Sequence, residues 1–301
     1  MIQTMKTLIT GSSGLIGTEL ISHLRGAGHE TVRLVRRPAG PGEVTWNPPA
    51  GTIDSAGLDG IEAVVHLAGA GIGDKRWSAA YRREILESRT VTTDLLARTL
   101  ATMATPPKVL LSGSAIGWYG DRGDELLDES SSGSTGFLAE VCQAWEAATQ
   151  PAESAGIRVA HLRTGVVLST AGGALRKLLP LFRLGLGGRF GNGRQWQSWI
   201  SIDDHVRAIE HLLTADTAGA VNLTAPGAVT NRDFTKVLAH VLHRPAVMTV
   251  PAFAPKLLLG SELAEALLFT GQRVHPGRLM SSGFEFRHPN LDGALRSLLK
   301  K

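Results

Sequence analysis

The feature that most restricts what this chain can fold into is a short apolar run, Lys6-Thr-Leu-Ile-Thr10. It ends in Gly11-Ser12-Ser13-Gly14-Leu15-Ile16-Gly17 and passes directly into helical spacing from Leu15 to Arg25. Glycines at this spacing between a strand and a helix have separate tasks. Gly11 permits a tight turn, Gly14 lets a pyrophosphate approach the backbone, and Gly17 lets helix and strand pack closely. The first-turn amides of such a helix, with its dipole behind them, favour an anion. Gly11, Ser12, Ser13, Gly14, Leu15, Ile16 and Gly17 are therefore predicted to bind a dinucleotide.

The rest of the chain repeats that alternation. Strand patterns recur at Thr31–Val35, Ala63-Val-Val-His-Leu-Ala68, Val109–Ser112 and Ile157–Leu162, with helical patterns at Glu84–Ala104, stopped by Pro106-Pro107, and Phe137–Ala155. Strands alternating with helices of this length predict an α/β fold, a doubly wound parallel (Rossmann) sheet covered on both faces. Val44–Gly60, with Pro48-Pro49 and Gly51, reads as a turn-rich connection carrying at most a short strand. Beyond Thr170 the texture changes. A stretch from Gly185 to Gly193 is rich in glycine and arginine, a helix and a strand return at 203–214 and 219–223, and the tail from Thr230 is mostly helical, with Leu257–Leu268 strongly apolar. The expected division is a cofactor-binding domain of 1–170, to which 203–225 returns. A smaller, mostly helical lobe of 171–202 and 226–301 would lie on the substrate side.

The end of the second strand bears on which nicotinamide is bound. An NAD site would place Asp or Glu there to accept from the ribose 2′-hydroxyl. This chain has Val35-Arg36-Arg37, and Arg36 can pair with a 2′-phosphate in a bidentate fashion. NADP(H) is the expected cofactor. The net charge of +4, from 31 basic and 27 acidic residues, is mild and forms no basic run, so no nucleic acid is expected. No apolar stretch is long enough to span a membrane, and the first ten residues read as lacking a secretory leader. Cys142 is the single cysteine, which excludes an intrachain disulfide and fits a cytoplasmic protein. The histidines are scattered without ligand spacing, so no metal is expected.

Several further segments carry a resemblance. They are Ser112-Gly-Ser-Ala-Ile-Gly-Trp-Tyr-Gly120, Leu162-Arg163-Thr-Gly165, Trp199-Ile-Ser-Ile-Asp-Asp204, Gly71-Ile-Gly-Asp-Lys-Arg-Trp77, Gly136-Phe-Leu-Ala-Glu140 with Trp145-Glu146, and Gly271-Gln-Arg-Val-His-Pro276 with Gly283-Phe-Glu-Phe286. Together with the glycine turn they resemble the extended, epimerase-like branch of the short-chain dehydrogenase/reductase superfamily, over nearly the whole chain. More narrowly they are similar to its atypical "epimerase family" subgroup. The resemblance implies that Leu67, Ala68 and Gly69 line the cofactor, joined by Arg89, which sits where extended members have an Asn. It also implies hydride transfer between nicotinamide and a carbonyl or alcohol carbon, with a Tyr moving the proton, a Lys four residues on lowering that Tyr's pKa, and a Ser orienting the substrate oxygen.

Ser114 matches the Ser. The Tyr and Lys, due near the start of the helix at Phe137, are missing. The two tyrosines are Tyr81 and Tyr119, and no lysine occurs from Val109 to Arg176. Depending on register, Phe137 or Leu138 stands for the Tyr, and Val141 or Cys142 for the Lys. A thiol cannot substitute for an ammonium, because its ionised form is negative. Ser114 and Tyr119 are therefore the candidate catalytic residues, Tyr119 as an alternative acid or else as packing beside Trp118. Arg183, Arg189 and Arg194 would either bind an anionic group of a small-molecule substrate or stay solvated. Trp196 and Trp199 would line the cleft or pack in the core, Lys75 and Arg76 would lie near the cofactor, and Asp203 and Asp204 would cap a helix. Two functions compete: an NADP(H)-dependent oxidoreductase or epimerase-like enzyme acting on a small carbonyl or alcohol, and an NADP(H)-binding sensor or regulatory protein without turnover.

Overall fold

The computed structural model describes residues 4–300. Eight strands form its main sheet: β1 (Lys6–Thr10), β2 (Glu30–Val35), β3 (Glu43–Asn47), β4 (Thr52–Ile53), β5 (Ala63–His66), β6 (Val109–Ala115), β7 (Arg158–Thr164) and β8 (Gly219–Leu223). Their spatial order is β8-β7-β6-β5-β1-β2-β3-β4, and every neighbouring pair is parallel except β3 with β4. The chain runs outward from β1 to β2, then returns to place β5 on the other side of β1. That reversal opens a crevice at the carboxyl ends of β1 and β5, where ligands of such sheets bind.

Consecutive residues of the central strands supply opposite faces, as a pleat requires. Ile9, Val65, Leu111 and Leu162 pack with helices α1 (Leu15–Gly26) and α4 (Ile202–Thr214), whereas Leu8, Val64, Leu110 and Val159 pack beneath Leu96 and Leu100 of α2 (Ala79–Ala101). Both faces are thus covered, which is why these strands read as continuous apolar runs. A third core joins the helices Gly173–Arg183, Asn231–Leu242 and Leu291–Leu299 around Phe182, Trp199 and Phe234. Among the described residues no helix is long and apolar enough to cross a membrane.

Three elements depart from the sequence reading. The stretch from Val44 to Gly60 carries more than a short strand, because β3 pairs with β2 and buries Val44 and Trp46 at alternating positions. Helix α2 starts at Ala79 rather than Glu84, because the Ser78 hydroxyl caps it by accepting from the Tyr81 amide at 3.1 Å. The helix expected over 137–155 is broken. Helix α3 (Phe137–Ala147) stops and a short turn, Gln150–Ser154, resumes with Pro151 in its first turn.

Candidate active site

The crevice is a cleft of about 600 Å³. Its floor begins at the glycine turn, where two backbone approaches leave no room for side chains. A Cβ at Gly11 would lie 2.6 Å from the Leu67 carbonyl oxygen, and Gly11 also has a φ of 64°. At Gly17 a Cβ would lie 2.3 Å from the Gly11 carbonyl oxygen. Gly14 caps α1 without a side chain, so the first-turn amides of Leu15, Ile16 and Gly17 open into the cleft unblocked. Thr10 ties this turn to the next strand. Its Oγ1 accepts from the Leu67 and Ala68 amides at 3.0 and 3.1 Å and meets His66 Nδ1 at 2.7 Å. Burial pushes the His66 imidazole down to about 3, so it is neutral at physiological pH.

These features fit a dinucleotide: bare backbone where a pyrophosphate must approach, and unspent amides at a helix N-terminus. Of the residues expected to hold one, Gly11, Gly14, Leu15, Ile16, Gly17, Leu67, Gly69 and Arg89 line the cleft, whereas Ser12, Ser13, Ala68 and Arg36 do not. Ser12 lies under the turn, Ser13 is exposed, and Ala68 faces the core beneath α2. Arg36 is exposed and has no side-chain partner among the described residues. A residue that sequence reasoning missed is closer to the turn. Arg33 Nε donates to Ser12 Oγ at 3.2 Å while its Nη1 lies 3.3 Å from Glu43, and Arg37 forms a two-pronged pair with the same carboxylate at 2.7 Å. Two guanidinium groups, Arg33 and Arg37, share this one carboxylate, which leaves the cluster with a net positive charge. The available signal was a charged residue set between Val32 and Leu34 in β2.

Helix α3 forms the far wall. Leu138, Val141, Cys142 and Trp145 line the cleft at i, i+3, i+4 and i+7, one helical face. This settles the register: Leu138 and Cys142 stand where the resemblance implies Tyr and Lys. Burial pushes the Cys142 thiol up to about 11, so it is an uncharged, apolar-like group. Gly113 in β6 is required by this wall, since a Cβ there would lie 2.7 Å from the Trp145 ring.

Ser114 lines the cleft, but its hydroxyl is engaged from behind. Its Oγ donates to Glu146 Oε1 at 2.6 Å. Glu146, one turn beyond Cys142 on the buried flank of the α3 cleft face, also accepts from Arg163 Nε at 2.8 Å and Nη2 at 3.0 Å. Arg163 stacks on Trp118 and donates to the Tyr119 hydroxyl at 3.1 Å, and that hydroxyl donates to Asn222 Oδ1 at 2.8 Å. His161 Nδ1 approaches Glu146 at 3.8 Å. The sequence reading contained neither Glu146 nor Arg163 as site residues. Tyr119 must be corrected as a candidate acid. It is fully buried, does not line the cleft, and burial raises its phenol pKa above the ordinary value. The short turn Ile116–Tyr119 carries it under the sheet edge, with its hydroxyl committed to Asn222 and Arg163.

The roof comes from 195–198 and 266–272. Trp196 lines it, while Trp199 is buried and donates to the Gly227 carbonyl at 2.8 Å. Arg183, Arg189 and Arg194 lie outside the cleft. Lys75 pairs with Glu84, and Arg76 donates to the Leu257 and Leu258 carbonyls, so both hold structure beside the cleft rather than line it. The helix at Ile202 is capped by Ser201. Asp204 instead accepts from the Arg287 and His288 amides, both at 2.9 Å, pinning the tail to α4.

Comparison with known proteins agrees with this geometry. Residues 7–224 match the model of the NAD-dependent epimerase/dehydratase family, and residues 250–298 match a domain of unknown function, DUF1731. The chain is 44% identical over 289 residues to epimerase family protein MT2273 of Mycobacterium tuberculosis, covering 95% of each. It superimposes on the crystal structure of human epimerase family protein SDR39U1 (isoform 2) with NADPH at a TM-score of 0.92, with 34% identity over 98% of this chain and 99% of that one. A nucleoside-diphosphate sugar epimerase from Corynebacterium glutamicum gives a TM-score of 0.81 at 38% identity, over 99% of this chain and 58% of that one.

Proposed function

The chain belongs to the NAD-dependent epimerase/dehydratase family of the short-chain dehydrogenase/reductase superfamily, and from that premise we propose that it is an NADP(H)-dependent oxidoreductase acting on a small carbonyl or alcohol. The observation that carries the reading is one continuous cleft, with a bare anion-binding turn at one end and a hydroxyl backed by a buried carboxylate at the other. Bound there, the nicotinamide would accept or supply a hydride. Arg33 and Arg36 give the adenosine end its preference for a 2′-phosphate. That the human relative was crystallised with NADPH supports this choice.

In this reading Ser114 and Glu146 manage the proton. In the oxidative direction these residues would take the proton of a substrate hydroxyl. The O–H proton passes to Ser114 Oγ while the Ser114 proton passes to Glu146 Oε1. The reductive direction reverses each transfer. Arg163 holds both carboxylate oxygens and so fixes Glu146 towards Ser114. The competing reading, a sensor that binds NADP(H) without turnover, draws support from Leu138 and Cys142, which leave the α3 face of the cleft without an acid.

Titration with NADPH and NADH tests the binding half. NADPH is expected to bind at least tenfold tighter, and Arg33→Ala and Arg36→Ala to narrow that ratio; equal affinities overturn the 2′-phosphate assignment. A panel of small aldehydes, ketones and alcohols, followed through NADPH absorbance, tests turnover. No oxidation or reduction across the panel favours the sensor.

A further inference from the structure

We propose that the part of the cleft beyond the cofactor takes an uncharged, mainly apolar ketone or alcohol rather than a sugar nucleotide or another anion. This names the substrate class of the reading above and rests on it. The first observation is the character of the walls around Ser114. Gly117, in the turn that follows β6, faces α3 so closely that a Cβ there would lie 3.5 Å from Leu138 and 3.7 Å from the Cys142 sulfur. Trp196, Leu267 and Leu268 close the roof. Ile72 also lines the cleft, and beside it Gly73 meets that roof, since a Cβ there would lie 3.4 Å from Leu267 Cδ1. Leucine, isoleucine, tryptophan and an uncharged thiol therefore surround the space next to the Ser114 hydroxyl.

The second observation is where charge lies. Among the described residues lining the cleft, Arg89 alone carries a formal charge, and it is expected on the cofactor side. Arg183, Arg189 and Arg194 lie outside, and the buried Arg163 is held by Glu146. The polar groups of the roof are neutral and largely spent within the protein. Gln195 Nε2 donates to the Phe190 and Leu268 carbonyls at 3.2 and 2.6 Å. Ser198 Oγ donates to the Gln272 carbonyl and accepts from the Val274 amide, both at 2.8 Å. Gln197 keeps a buried amide oxygen with no partner among the described residues, which suits a ligand hydroxyl. With the glycine-turn amides given to the cofactor, no cation among the described lining residues remains for a second diphosphate. An ionised group set against Leu138 and Trp196 would lose its water and gain no counter-charge, which is a heavy cost. Alkyl carbon in the same place is favoured, by about fourfold in affinity per buried methylene.

Calorimetric titration of NADP⁺-saturated protein tests this with the ketones 2-pentanone to 2-octanone, with 7-oxooctanoate and with UDP-glucose. In 7-oxooctanoate a carboxylate replaces the far methyl of 2-octanone. Affinity is expected to rise about fourfold per methylene along the ketones, and 7-oxooctanoate to bind at least about tenfold more weakly than 2-octanone. UDP-glucose is expected to show no binding at the same concentrations. Leu138→Gln and Leu267→Gln, the latter at a roof position that is 43% exposed and so tolerant of change, should each lower 2-octanone affinity by about fivefold or more. Their NADP⁺ affinity should stay within about twofold of wild type. Affinity that is flat along the ketones overturns the proposal, as does an anion that binds as well as 2-octanone. A rise with chain length that is undiminished in both Gln variants overturns it too, because it signals adsorption elsewhere. A parallel assay follows NADPH absorbance with 2-octanone. Binding of the ketone without oxidation of NADPH removes the oxidoreductase reading and leaves the ligand class standing. Wild-type protein that binds no NADP⁺ removes the cofactor reading, and this inference with it.

Discussion

The buried pair between Glu146 and Arg163 gives a prediction whose size can be worked from its geometry. The two residues are 8% and 4% exposed, and two charged hydrogen bonds of 2.8 and 3.0 Å join them. Arg163→Met leaves the carboxylate in place with the Ser114 hydroxyl as its remaining close donor and His161 at 3.8 Å. Stranding one member of a buried pair costs about 3–5 kcal/mol. Unfolding entropy of about 2.1 cal/mol/K per residue, over 301 residues, gives about 0.6 kcal/mol/K, so the midpoint should fall by about 5–8 °C. Replacing both members (Arg163→Met with Glu146→Leu) removes the stranded charge and should recover more than half of that loss. Thermal unfolding followed by circular dichroism, with urea titration beside it, measures both. If the double variant is as unstable as Arg163→Met alone, then loss of Arg163 packing on Trp118, rather than the ion pair, sets the cost, and the assignment of Glu146 as a paired carboxylate fails.

Acid should unfold the protein through its buried histidines. His66 and His205 are held neutral by burial, at about 3 and about 4. A histidine whose folded pKa is depressed gives its full contribution above the unfolded value near 6.5, and that contribution drains away as pH falls towards the folded value. Stability should therefore fall by about 1 kcal/mol per pH unit per histidine as pH drops from 6 to 5, with the His205 share flattening towards pH 4; urea midpoints flat across that range would contradict it. Tyr119→Phe should cost about 1–3 kcal/mol, since Asn222 and Arg163 each lose a buried partner, yet leave NADPH affinity unchanged. A tenfold loss of affinity in that variant would return Tyr119 to the site. Gly17→Ala forces a Cβ to within 2.3 Å of the Gly11 carbonyl and should abolish NADPH binding in calorimetry; near-normal affinity would mean the turn is not the pyrophosphate site.

The parts legible in the sequence were those that local backbone chemistry dictates. Gly11 and Gly17 announce themselves because a side chain there would meet a positive φ or a backbone carbonyl, and Gly14 completes their spacing. The apolar runs of β1, β5 and β6 announce a sheet covered on both faces for a similar reason. The missed residues depend on register between distant segments. Arg33 reaches the turn because β2 lies parallel to β1 with Arg33 opposite Ile9, and Glu43 joins it only because β3 pairs with β2. Glu146 and Arg163 are close because Arg163 lies opposite Ser114 in the β6–β7 ladder while α3 crosses above. Nothing in the one-dimensional pattern ties these residues together, although a charge inside each apolar stretch was the available clue. Tyr119 misled in the opposite sense. Its closeness to Ser114 in sequence suggested a shared pocket, and one short turn separates them.

The distribution of charge bears on enzyme versus sensor. The cleft face of α3 is apolar at four successive helical positions, so proton chemistry there must arrive from another element. Ser114 on β6 brings a hydroxyl, and behind it Glu146, one turn beyond Cys142, brings a buried carboxylate. The Ser114–Glu146 hydrogen bond joins a hydroxyl that lines the cleft to a buried carboxylate, an arrangement suited to proton transfer. Glu146→Gln separates the two cases, since it preserves size and can still accept from Ser114 but cannot serve as a carboxylate base. An enzyme should keep NADPH affinity within about twofold and lose a hundredfold or more in turnover, within the range that general acid–base groups supply. Turnover that survives the substitution would place the proton elsewhere and remove Ser114–Glu146 from the mechanism.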